Sequence, residues 1–131
     1  MIDAYYAGYD TIDPDEFDYV CKIDLDLDLP HRYFETIMER MEAEPRLGTA
    51  SGKAYFPQLG TEDKDRRKDD GSIDASDLTS EACGDEMSVG MIKFYKTACF
   101  KQVGGFVREV MWDGIDCHRC RMLGWIACSW D

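Results

Sequence analysis

At 131 residues the chain is long enough to bury about two thirds of its unfolded surface, so one core and a single domain over residues 1–131 are expected. Hydrophobic residues make up 44% of it and aromatics 12%, which excludes a wholly disordered chain, and no apolar run approaches the ~18 residues of a membrane span. With 27 Asp and Glu against 15 Lys and Arg, a net charge of −12, the composition argues against a self-standing nucleic-acid binder that works by neutralising phosphates.

The amino terminus, Met1-Ile2-Asp3-Ala4-Tyr5-Tyr6, has neither the basic nor the apolar stretch of a secretory signal, so a cytoplasmic protein is expected. In that reducing compartment the six cysteines, Cys21, Cys83, Cys99, Cys117, Cys120 and Cys128, read as free thiols, most of them small core residues. The acidity is local. Residues 1–60 carry 13 acids and 5 bases, residues 61–86 carry 10 and 4, and residues 87–131 carry 4 and 6.

From Tyr19 to Leu29, Ile23, Leu25, Leu27 and Leu29 alternate with Lys22, Asp24, Asp26 and Asp28, the period of a strand with one buried face. The leucine face is expected in the core and the strand at the centre of the fold. Pro30 ends it. From His31 to Glu44, Tyr33, Phe34, Ile37, Met38 and Met41 fall at helical spacing, and Pro45 and Gly48 stop that helix. Residues 61–86, poor in large apolar side chains and rich in charge, read as a long exposed acidic loop, with a short helical turn after Asp77. Beyond it, Val89–Phe100, Phe106–Trp112 and Leu123–Trp130 are rich in β-branched and aromatic residues, with Gly104-Gly105 and Asp113-Gly114 as turn signals, and predict an antiparallel meander. The expected fold is α+β: an antiparallel sheet with one main helix packed on a face, and a long acidic loop.

On a strand, Asp24, Asp26 and Asp28 would stand ~6.7 Å apart on one face, a row of like charges that is unfavourable unless something answers it. A partner's basic side chains would answer it. A divalent metal would need further oxygens from elsewhere, and no metal is expected. The segment Asp69-Asp70-Gly71-Ser72-Ile73-Asp74 matches the back half of a calcium loop, but Arg66 and Lys68 occupy its first and third ligand positions, and cations cannot coordinate calcium. Cys117-His118-Arg119-Cys120 is the tightest soft-ligand cluster. It lacks the second paired motif of a zinc site and the strand-to-helix setting of a redox pair, and the two thiols are expected on opposite sides of a strand.

Catalysis finds no nucleophile signature around His31 or His118 and no phosphate-cradling glycine loop, so the chain is expected not to be an enzyme and to need no cofactor. The expected function is that of an acidic binding protein that inhibits or masks the basic, nucleic-acid-binding surface of a protein or nucleoprotein partner. Phage anti-restriction and anti-CRISPR proteins, nucleic-acid mimics and bacterial immunity proteins act in that way as a class. Asp24, Asp26, Asp28, Asp69, Asp70 and Asp74 are its expected binding residues, with no direct contact to nucleic acid or membrane. The alternative is a general interaction or assembly module, zinc-stabilised through Cys117 and Cys120.

Overall fold

The computed structural model describes residues 2–57, 78–80, 84–109 and 111–131. The fold is α+β. Among the described residues are four helices, α1 (Ile2–Tyr9), α2 (Tyr33–Ala43), α3 (Thr97–Val103) and α4 (Trp112–Met122). Strands β1 (Tyr19–Ile23), β2 (Leu47–Gly52), β5 (Ile92–Lys96) and β6 (Ile126–Trp130) form the main sheet, and β3 (Tyr55–Pro57) with β4 (Leu78–Ser80) a small one.

The main sheet has the order β1-β5-β2-β6 and is mixed: β5 runs antiparallel to both of its neighbours, while β2 and β6 are parallel. The antiparallel meander expected of the last third is therefore not the observed arrangement. Thr97–Val103 and Trp112–Met122 are helical; Gly104 and Gly105, both at positive φ, close α3 rather than a hairpin, and Asp113-Gly114 lies inside α4. β-Branched and aromatic residues lose little in a helix whose inner face is packed, and tertiary contact overrode propensity here. Leu78–Ser80 is a strand, where a helical turn was expected. The rest of the acidic stretch, residues 61–77 and 81–83, with Asp69, Asp70 and Asp74, lies outside the described residues.

Helix α2 begins just after Pro30, as its periodicity predicts, and buries Ile37 and Met41 against Leu47, Ala50 and Phe94. The ammonium of Lys96, at the end of β5, donates to the carbonyls of Met41, Glu44 and Pro45 at 2.8, 3.2 and 3.1 Å, capping the end of that helix with a cation. A second cluster gathers Ile2, Val20, Tyr95, Cys99, Phe100, Val103, Phe106 and Cys120, with Tyr5, Tyr6 and Tyr9 of α1 packed on it. Tyr6 Oη donates to the Phe106 carbonyl at 2.6 Å and ties the amino-terminal helix to the loop after α3.

The strand expected over residues 19–29 ends at Ile23, and its faces are reversed from those the alternation predicts. Val20 and Lys22 point inward, Ile23 outward, and Leu25 is fully exposed. β1 is also an edge strand. Asp24 to Pro30 form the loop that leads to α2. The leucines there match the strand period, but among the described residues no neighbouring strand extends that far: β5 begins at Ile92, opposite Ile23.

Candidate functional site at the carboxyl end of the sheet

Strands β1, β2 and β6 all end at the same edge of the sheet, where β5 begins. The Asp24–Asp28 loop leaves β1 there, and the first turn of α4 sits beside it.

Lys22 and Lys93 form the floor. They are directly opposite each other in the β1–β5 ladder, and both are buried, at 5% and 0% exposure. Like charges so placed repel, and each is answered by its own carboxylate. Lys22 Nζ pairs with Asp24 and donates to the Gly90 carbonyl at 3.1 Å, its ammonium lying 5.1 Å from the Trp112 ring centroid. Lys93 Nζ meets both carboxylate oxygens of Asp116, at 2.7 and 2.8 Å, and donates to the Asp113 carbonyl. Asp116 is itself 1% exposed and accepts a hydrogen bond from the Tyr95 hydroxyl, whose ionisation burial and the neighbouring carboxylate push far up.

The back wall is a chain of small polar groups. Thr49 Oγ1 donates to Ser88 Oγ at 3.0 Å, Ser88 Oγ lies 3.4 Å from Cys117 Sγ, and the Val89 amide donates to Ser51 Oγ at 2.8 Å. These bonds fix the segment before β5 onto β2 and α4. At its tip is Gly90. A Cβ there would lie 2.9 Å from both Cβ and Oδ2 of Asp113, so only glycine lets the first turn of α4 come this close. Just beyond it, the Asp24 amide donates to the Met91 carbonyl at 2.9 Å. Asp24 and Asp113 therefore flank the same short stretch of backbone.

Of the expected site residues, the structure brings Asp24, Asp26 and Asp28 to this end, in a loop rather than along a strand face. Asp24 is 24% exposed and paired with Lys22. Asp26 and Asp28 are exposed, and their side chains have no partner among the described residues. The Asp113 side chain is likewise exposed and has no ion pair among the described residues. Elsewhere Asp3 and Asp10 share Arg108, Glu35 and Glu39 share Arg32, Asp85 and Asp131 share Lys53, and Asp15, Glu44 and Glu86 pair with Lys101, Arg46 and Arg121, whereas Asp13, Glu16, Asp18, Glu42 and Glu109 have no ion pair among the described residues. Carboxylates without an ion pair among the described residues thus stand at this end of the sheet and elsewhere alike.

The sequence reading missed Lys22, Gly90, Lys93, Asp113 and Asp116. The alternation predicts Lys22 on the solvent face, and Asp113-Gly114 reads as a turn. A signal did exist, for two aspartates at 113 and 116 have helical spacing.

Cys117 and Cys120, expected on opposite faces of a strand, lie on one buried face of α4. Cys120 Sγ is 3.6 Å from Cys99 Sγ. Burial pushes the Cys117 thiol up, and Cys99 is raised by its contact with Cys120 and by burial. Among the described residues no group of three or more His, Cys, Asp or Glu is arranged to hold a metal ion, and no helix is long and apolar enough to cross a membrane. In comparison with known proteins, no family model matches the chain, and no curated protein and no solved structure matches it significantly.

Proposed function

We propose that the carboxyl end of the sheet is a small-ligand site that takes a hard divalent cation and, through it, an anionic group such as a phosphate. The observation that carries this reading is that Asp26 and Asp28, exposed and without a partner among the described residues, share one loop with the Lys22-paired Asp24, whose amide is held by Met91, next to the Gly90 against which the exposed Asp113 stands. A magnesium-like ion is commonly held by only one or two protein carboxylates, the rest of its shell being water and substrate phosphate. A prebuilt three-residue cage is therefore not required. With a cation bound by the loop, Asp113, exposed and held beside Gly90, would be the carboxylate available to accept a proton from a water there.

The test is a Mn²⁺ titration followed by paramagnetic broadening of backbone amides. Broadening confined to residues 24–28 and 113–114, saturating at or below about millimolar Mn²⁺ and lost in an Asp26→Asn, Asp28→Asn variant, supports the reading. Uniform or absent broadening overturns it.

A second reading is the non-enzymatic acidic binding protein that masks a basic surface of a protein or nucleoprotein. The exposed, unpaired Asp26 and Asp28 favour it, because such groups steer a cationic partner and lose little on being covered. Capture of a basic partner that weakens steeply with salt and ignores chelators would select this reading over the first.

A further inference from the structure

We infer that the buried Lys93–Asp116 pair is a positioning device: it holds the first turn of α4 on β5, and so places the Asp113 carboxylate against Gly90. That this placement serves a ligand rests on the function proposed above; the placement itself does not.

Three observations converge on it. Helix α4 starts without the usual help, because its N-cap residue Met111 is in the left-handed region at φ 65° and no side chain caps the turn. A methionine gains nothing from that conformation, which favours glycine. Something else has to hold the start of the helix. Lys93 does so twice, donating to the Asp113 carbonyl within the first turn and to both oxygens of Asp116 one turn on. The approach of that turn to the sheet is then close enough that Gly90 has no room for a side chain.

Burial makes stability a poor reason for the pair. Two charges at 0% and 1% exposure have each lost their hydration, and apolar residues of similar volume fill such sites as well or better. What apolar residues cannot do is point a donor at one particular carbonyl. Lys93 is a single cation reaching from the centre of the sheet to two groups on α4, and Tyr95, two residues along the same face of β5, donates to the same Asp116. Direction is the property this arrangement has and a greasy contact lacks.

The experiment compares the parent with two variants that remove the pair while keeping its volume, Lys93→Met with Asp116→Leu and Lys93→Met with Asp116→Asn. Three quantities are read: the melting temperature, amide exchange along α4, and the response of the Gly90 amide resonance to titration of Asp113, isolated by difference against Asp113→Asn. The expected result is that at least one variant melts at or above the parent, while exchange at residues 116 and 117 quickens by about tenfold or more relative to residues 119–122 and Gly90 no longer follows Asp113. A folded variant that keeps slow exchange and the Gly90 response would overturn the inference. So would failure of both variants to fold, since the pair would then sustain the fold rather than aim one turn of it. None of these readouts involves a bound cation, so an absence of Mn²⁺ binding in the parent would overturn the proposed function and leave this inference to stand or fall separately.

Discussion

Lys22 and Lys93 face one another across the β1–β5 ladder, both buried, and each is neutralised by a carboxylate from a different part of the chain: Asp24 two residues on, and Asp116 on α4. The relationship reverses what the acidic triplet predicts for Asp24. An aspartate in a row of like charges should be relieved by substitution with asparagine. Here Asp24→Asn removes the counter-charge of a buried ammonium, and the expected cost is about 1 to 3 kcal/mol. Asp26→Asn, at an exposed position without a partner, should leave stability within about 0.5 kcal/mol of the parent. Equal effects of the two changes in chemical denaturation would contradict the Lys22 pairing.

Leu25 is fully exposed, whereas Met41 is fully buried between α2 and the sheet. Leu25→Ala should therefore be close to neutral, and Met41→Ala should cost about 2 to 5 kcal/mol through lost transfer energy and the cavity left behind. Thermal melts of the two single variants decide the matter; a larger loss from Leu25→Ala would restore the longer strand.

Gly90→Ala should disturb the site more than the fold. The added methyl would stand 2.9 Å from the Asp113 side chain, and the first turn of α4 must move to admit it, at about 1 to 3 kcal/mol. Ligand broadening at residues 113–114 should weaken, while that at residues 24–28 remains. Unchanged broadening at both places would show that Asp113 does not depend on this contact.

Alkaline pH should destabilise the protein through Cys21. Burial pushes its thiol from an ordinary 9.0 up to about 12, so the folded state holds the proton more tightly than the unfolded one. Stability is then fully present below pH 9.0 and declines as pH rises towards about 12, by on the order of 2 to 4 kcal/mol. Cys21→Ala removes the titrating group. Its denaturation midpoint should vary less than the parent's across that window, and parallel pH profiles for the two proteins would rule the assignment out.

The amino-acid sequence by itself determined helix α2, because an apolar stripe at Tyr33, Ile37 and Met41, bounded by Pro30 and Pro45, leaves little choice of conformation. It also set Asp24, Asp26 and Asp28 within one short stretch of chain. Only the tertiary structure decided which side of β1 is the inside. The leucines alternate with aspartates strongly enough to imitate a strand, yet strands need neighbours, and β5 reaches only to Ile23. The burial of Lys22 depends on Gly90 and Trp112, far along the chain. The last third was likewise settled by packing: Cys117 and Cys120 became one inner helix face because Cys99, Tyr95 and Ser88 stood ready to cover them. Periodicity within a segment reports which residues share a face; whether that face is buried is set by contacts between segments that no local pattern contains.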